Sequence, residues 1–125
     1  MTVFLPYSVL MSVYARESAA FLTMSLNSMM AQSIPPQEIV LVEDGLITSE
    51  LNESITNFDE AYPGLLTVVS YSKNQGLGYA LSRGLPVCRN EIVARMDSDD
   101  YAFPTRMEEQ LALMEERDLD MVGSQ

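Results

Sequence analysis

The chain contains no histidine, a single cysteine, and only 7 Lys and Arg residues among 125. Without histidine, a His-based catalytic triad and a His-ligated zinc site are excluded within these residues. With Cys88 alone, a disulfide framework and a thiolate metal cluster are excluded as well. A reducing, cytoplasmic setting fits that usage. The few basic residues face 18 Asp and Glu, for a net charge of -11. This balance argues against a nucleic-acid partner or an anionic membrane surface, since each needs a basic patch. No apolar run approaches the length that crosses a bilayer, and residues 1–7 carry no basic leader. What remains is a composition 47% hydrophobic and 20% charged, which is that of a globular chain. Its length suits one domain with a real core.

Short apolar runs at residues 7–13, 38–42, 65–69 and 91–96 read as buried strands. Between them lie segments with helical character. Residues 17–32 lack Gly and Pro, and at helical spacing Phe21, Met24 and Ser28 share one face, with Leu22, Leu26 and Met29 beside it. Pro35 and Pro36 stop that helix. A second helix, capped by Thr48 or Ser49, is predicted to run to Tyr62 before Pro63 and Gly64. A short helix is predicted over 79–85. Another over 106–117 follows Pro104 and turns Met107, Leu111 and Met114 inward. Residues 120–124 could begin a fifth strand. Alternating strands and helices, with strands apolar throughout, predict an α/β fold: a mostly parallel sheet with helices on both faces. Ligands of such sheets bind at the carboxyl ends of the strands.

Three polar segments fall at those ends. The first is Asp97, Ser98, Asp99 and Asp100 after the fourth strand. Extended backbone would put Asp97 and Asp99 on one side, where their oxygens suit Mg²⁺ or Mn²⁺ shared with substrate phosphates. The plain alternative is a solvated acidic turn before a helix. An EF-hand loop from Asp97 is rejected, because Tyr101 and Ala102 fall where a ligand and a glycine are needed. A phosphatase-type use of Asp97 as nucleophile lacks recognisable partners in the chain. The second segment is Glu43, Asp44 and Gly45, either a carboxylate for a base N–H or ribose hydroxyl, or a polar turn. The third is the loop 73–78, where Gly76 and Gly78 let backbone N–H groups approach phosphate without forming a P-loop. Arg83, Arg95 and Arg106 are cations that could pair with phosphate or sit at the surface.

Taken in order, these segments resemble family 2 glycosyltransferases of the GT-A fold across nearly the whole chain. Residues 8–14 are similar to that family's first strand and nucleotide-contacting loop, and 39–45 to its strand ending in an acidic pair and Gly. Residues 74–80 with Gly84 resemble its Asn-x-Gly segment. Residues 94–100, followed by Pro104 and Arg106, resemble its Asp-x-Asp motif. The resemblance implies a Rossmann-like nucleotide-diphospho-sugar transferase fold in which 1–125 form the donor-binding part, with the acceptor-binding half and the catalytic base expected beyond Gln125. It implies that Ser12, Val13, Tyr14 and Glu17 meet the nucleotide, and that Asp44 or Glu43 contacts the nucleoside. Asn74, Gly76 and Arg83 would lie near base and diphosphate. Asp97 and Ser98 would lie at the ribose or sugar, with Asp99 and Asp97 as ligands of Mn²⁺ or Mg²⁺. The implied reaction moves a sugar from a nucleoside-diphosphate donor, a UDP-sugar by resemblance, to a hydroxyl of a carbohydrate or lipid-linked acceptor with inversion. That setting is polysaccharide or glycoconjugate biosynthesis at the inner face of the membrane, with a homo-oligomer left open. The cation would reconcile an anionic donor with a net charge of -11. Two other readings stand beside it: a receiver-like signalling module, and a non-catalytic α/β interaction domain.

Overall fold

The computed structural model describes residues 6–96 together with Met107 and Glu109. Strand β1 (Tyr7–Val13) leads to helix α1 (Ala19–Met30), β2 (Glu38–Asp44), α2 (Ser49–Ala61), β3 (Leu66–Tyr71), α3 (Leu77–Gly84), a 3₁₀ turn (Leu85–Val87) and β4 (Ile92–Arg95). The four strands form one sheet in the order β3-β2-β1-β4, and every neighbouring pair is parallel. The predicted α/β architecture is therefore present. The fifth strand, most of the helix predicted over 106–117 and the acidic run 97–100 lie outside the described residues.

Alternation along the strands divides the core in two. Val9, Met11 and Val13 of β1 and Ile39 and Leu41 of β2 pack with Leu22, Leu26 and Met29 of α1 and Leu51, Ile55 and Phe58 of α2. Leu10, Val40 and Val42 point to the other face and pack with Ala80 of α3 and Val93. Both faces are covered, which is why these strands carry no polar alternation. Burying each such side chain contributes about 1.5–3 kcal/mol. Gly84 permits the tight seat of α3, since a Cβ there would lie 2.5 Å from Leu10 Cδ1 and 2.7 Å from Val42 Cγ2.

One expectation is corrected in α1. Phe21 and Met24 are about half exposed, at 54% and 48%, while Leu22, Ser25, Leu26, Ser28 and Met29 are buried. The helix is apolar on several sides, so its composition does not specify which stripe meets the sheet. The helix also begins later than 17, with Ser18 as its N-cap accepting from Phe21 N–H at 3.3 Å. In α2, Thr48 is the cap, accepting from Leu51 N–H at 3.2 Å. Met107 is buried as predicted, and its N–H donates to Gln32 Oε1 at 2.9 Å.

The amino edge of the sheet is locked by a buried carboxylate. Glu38 accepts from Ser8 Oγ at 2.8 Å, from Arg89 N–H at 2.7 Å and from Arg89 Nε at 2.8 Å. Asn90 Nδ2 donates to Ser8 Oγ at 3.0 Å, tying the segment before β4 to the start of β1. Burial pushes the Glu38 carboxyl upward, but the Arg89 backbone N–H, the Ser8 hydroxyl and the Arg89 guanidinium outweigh it and hold it below its ordinary value. A carboxylate depressed in this way stabilises the fold above its unfolded pKa, and that stabilisation is lost as pH falls through the folded one. Replacement of Glu38 by Gln is expected to cost about 1–3 kcal/mol at neutral pH in urea unfolding. The gap between variant and wild type should narrow as pH falls below the ordinary glutamate value of about 4.3 and on through the lower value of the folded carboxyl. An equal cost at every pH would contradict this role.

Candidate functional site

At the carboxyl edge, β1 and β2 run out side by side, with Val13 paired to Glu43. The chain leaving β1 makes a turn closed by Glu17 N–H donating to the Tyr14 carbonyl at 3.0 Å, and enters α1 through Ser18. Between this turn and the loop before α3 opens a cleft of about 600 Å³. Ser12, Val13, Tyr14 and Glu17 wall one side, while Asp44, Asn74 and Gly76 wall the other. A smaller hollow of about 420 Å³ continues from it past Tyr14, Arg16, Gly45 and Leu46.

Asp44 organises the second wall. Its Oδ1 accepts from the Tyr71 hydroxyl at 2.7 Å and from Gln75 N–H at 2.8 Å. Its Oδ2 accepts from Asn74 Nδ2 at 3.1 Å and from Gly76 N–H at 2.9 Å. An ionised carboxylate offers about four lone-pair positions, and these donors match them. Asn74 Nδ2 also donates to the Asp44 carbonyl at 3.1 Å. Burial pushes the Asp44 carboxyl upward, but Gln75 N–H, the Tyr71 hydroxyl and Gly76 N–H outweigh it and hold it below its ordinary value. Burial and the same hydrogen bond push the Tyr71 phenol far up, so it stays protonated and donating.

Gly45 is required by this arrangement for two reasons. Its φ of +90° is left-handed, and a Cβ there would fall 2.8 Å from the Asn74 backbone nitrogen.

Of the residues singled out in the sequence, Ser12, Val13, Tyr14, Glu17, Asp44, Asn74 and Gly76 come together around the cleft. Glu43 does not. It is next to Asp44 in a strand, so it faces the opposite side of the sheet, where burial pushes its carboxyl upward. Arg83 does not line the cleft either, because its guanidinium is stacked over Tyr71 and Tyr79. Asp97, Ser98 and Asp99 lie outside the described residues. The chain approaches them through Met96, whose N–H donates to the Leu10 carbonyl at 3.1 Å beside β1. Among the described residues no group of three or more Asp, Glu or Cys could hold a metal ion.

The cleft also includes residues that the sequence reading passes over. Arg16, Ser18, Phe21 and Leu77 line it. The Arg16 guanidinium makes no hydrogen bond or ion pair among the described residues. Its signal is its place in the turn between Tyr14 and Glu17. Phe21 is concealed by its apolar character, which reads as core.

In a parallel α/β sheet, a cleft at the carboxyl edge is where ligands bind. The chain belongs to glycosyl transferase family 2, whose sequence profile matches residues 8–125. It is 43% identical over 110 residues to an uncharacterized glycosyltransferase of Haemophilus influenzae, covering 88% of this chain and 40% of that one. It is 41% identical over 109 residues to the amylovoran biosynthesis glycosyltransferase AmsE of Erwinia amylovora, covering 87% and 40%. It is 38% identical over 104 residues to the UDP-Gal:alpha-D-GlcNAc-diphosphoundecaprenol beta-1,3-galactosyltransferase of Escherichia coli, covering 82% and 36%. The chain thus spans about two fifths of these curated relatives.

Among solved structures, S. aureus TarS 1-349 in complex with UDP superposes with a TM-score of 0.77 at 25% identity, covering 91% of this chain and 33% of that one. The mannosyltransferase PcManGT of Pyrobaculum calidifontis, in complex with GDP-Man and Mn²⁺, gives 0.71 at 25% identity, covering 86% and 31%. The GT-A architecture expected from the resemblance is thereby shown. No helix among the described residues is long and apolar enough to cross a membrane.

Substitution of Gly45 by Ala is expected to destabilise the chain by about 1–3 kcal/mol through left-handed strain and the clash with Asn74. Urea unfolding of the variant measures this, and a midpoint equal to wild type would contradict it.

Proposed function

We propose that the cleft binds the nucleotide part of a nucleoside-diphosphate-sugar, as the donor half of an enzyme that transfers the sugar to an acceptor hydroxyl. The observation that carries this reading is the clustering of Ser12, Tyr14, Glu17, Asp44 and Asn74 around one opening at the ends of β1 and β2. The opening combines hydrogen-bonding groups with the apolar surfaces of Val13, Phe21 and Leu77, which suits a flat base joined to a polar ribose. Arg16, which lines the opening, is the cation for the diphosphate. Solved relatives of the same fold hold UDP, UDP-GlcNAc and GDP-Man, and the galactosyltransferase relative is named for a UDP-sugar. A UDP-sugar is the donor we favour, with an acceptor in polysaccharide or glycoconjugate assembly in keeping with the amylovoran relative. A cytoplasmic setting is part of the same proposal, in keeping with a chain that carries a single cysteine.

A divalent cation, Mn²⁺ or Mg²⁺, completes the proposal. Its ligands would be Asp99 and Asp97, whose hard oxygens suit either ion, with Ser98 beside the sugar. Support comes from the sequence pattern and from the Mn²⁺ bound by the mannosyltransferase neighbour. When bound, the ion would offset negative charge on the departing diphosphate. The residues of this chain bind and orient the donor. The inverting step needs a carboxylate to take the acceptor proton, a role we assign to none of these 125 residues.

Calorimetric titration with UDP tests the reading. Binding in Mn²⁺ is expected, weakened at least about tenfold when Mn²⁺ is omitted or Asp99 is replaced by Ala, as follows from losing a charge-assisted contact. Absence of UDP and UDP-GlcNAc binding in Mn²⁺ would overturn it.

A further inference from the structure

Arg83 lies away from the cleft wall, yet several contacts converge on it. Its Nη1 donates to the Tyr79 hydroxyl at 2.9 Å. Its guanidinium carbon stands 5.4 Å from the Tyr71 ring centroid and 5.8 Å from that of Tyr79. The two rings meet edge to face, 5.1 Å apart at 86°. A guanidinium within about 6 Å of a ring face is attracted by the ring's quadrupole. Tyr79 and Arg83 are four residues apart on α3, so the helix itself keeps them adjacent. Tyr71 ends β3, and its hydroxyl donates to Asp44 at the end of β2.

We propose that Arg83 and Tyr71 are positioning residues for the cleft. Arg83 fixes the Tyr71 ring, Tyr71 completes the donor set of Asp44, and Asp44 holds the Gln75 and Gly76 amides that shape the cleft's second wall. Neither residue touches the ligand. The arrangement is specific in its chemistry. A cation beside the phenol favours its hydroxyl as a donor, opposing the burial that otherwise pushes the phenol up. An apolar side chain at 83 could fill the same space without supplying that field. The three elements involved are β2, β3 and α3, and none of their sequences alone specifies the link. What the cleft binds rests on the donor reading, while the ordering of its wall does not.

The test uses the free 125-residue chain. Hydrogen exchange at the Gln75 and Gly76 amides is measured for wild type, Tyr71→Phe, Arg83→Ala and Arg83→Lys. Tyr71→Phe should speed exchange there at least about tenfold, the factor for one lost hydrogen bond to a charged acceptor, and Arg83→Ala, which frees the Tyr71 ring but leaves that bond, should speed it by a smaller factor. The Leu10 and Val40 amides within the sheet should exchange as in wild type. Arg83→Lys keeps a cation over the rings and should recover part of the protection. Unchanged exchange at 75 and 76, equal acceleration across the sheet, or no recovery in Arg83→Lys would each overturn the proposal. UDP affinity in Mn²⁺ supplies the second arm. If wild type binds and Arg83→Ala binds equally well, the link to the cleft fails. If wild type does not bind, the donor reading fails alone and amide exchange decides this proposal.

Discussion

One carboxylate receiving four hydrogen bonds holds the carboxyl edge of this sheet together. Asp44 closes β2, and its donors come from the end of β3 and from the loop that opens α3. That helix has no side-chain cap of its own, because its N-cap residue is Gly76. Asp44 instead accepts from the Gln75 and Gly76 N–H groups just before the first helical turn, and so fixes how the chain enters α3. Its negative charge also lies at the helix's positive end, which favours both. Removing this interaction would leave the second wall of the cleft without an anchor, although the sheet beneath it would persist.

The same strand carries a second buried carboxylate at its other end. Glu38 binds the Arg89 segment to the amino edge just as Asp44 binds the Asn74 segment to the carboxyl edge. The two differ in what they fasten. Glu38 is met by a guanidinium and closes a structural joint. Asp44 is met by neutral donors, so its charge is dispersed over amides, an amide side chain and a phenol. A buried carboxylate met only by neutral groups survives only with all its lone pairs used, which explains why Gly45 must let Asn74 come so near.

Much of this was legible in the chain's letters, and the reasons are physical. Four apolar runs without alternation announce strands buried on both faces, and Pro and Gly punctuate them. Tyr14, Asp44 and Asn74 come together because parallel strands end at one edge, so topology converts sequence positions into neighbours. The choice between Glu43 and Asp44 is a different matter. It depends on which strand face meets α3, and a strand apolar on both faces hides that. Phe21 and Met24 fail for a related reason, since a helix with apolar residues on several sides does not reveal its seat. Arg83 could not be placed from sequence, because the ring beneath it belongs to a strand twelve residues earlier.

The anionic donor proposed for a chain of charge -11 is less paradoxical once charge is considered locally. Glu50, Glu53, Asp59 and Glu60 of α2 are solvent-exposed and screened over about 8 Å at physiological ionic strength. Of the two carboxylates lining the cleft, Asp44 is already surrounded by donors, and Arg16 lines the cleft together with the other, Glu17. A phosphate entering there meets a field set by those few groups rather than by the total. The acidic run at 97–100 is the exception, being a concentrated charge that directly follows the strand next to β1. Under the proposed donor reading, a diphosphate brought near three carboxylates in four residues is repelled unless a cation intervenes. In that proposal the same residues that oppose binding without the ion would make binding conditional on it. Asp44 and the Asp97 to Asp100 run would then do opposite work with the same functional group, one met by protein donors and the other, as proposed, by metal.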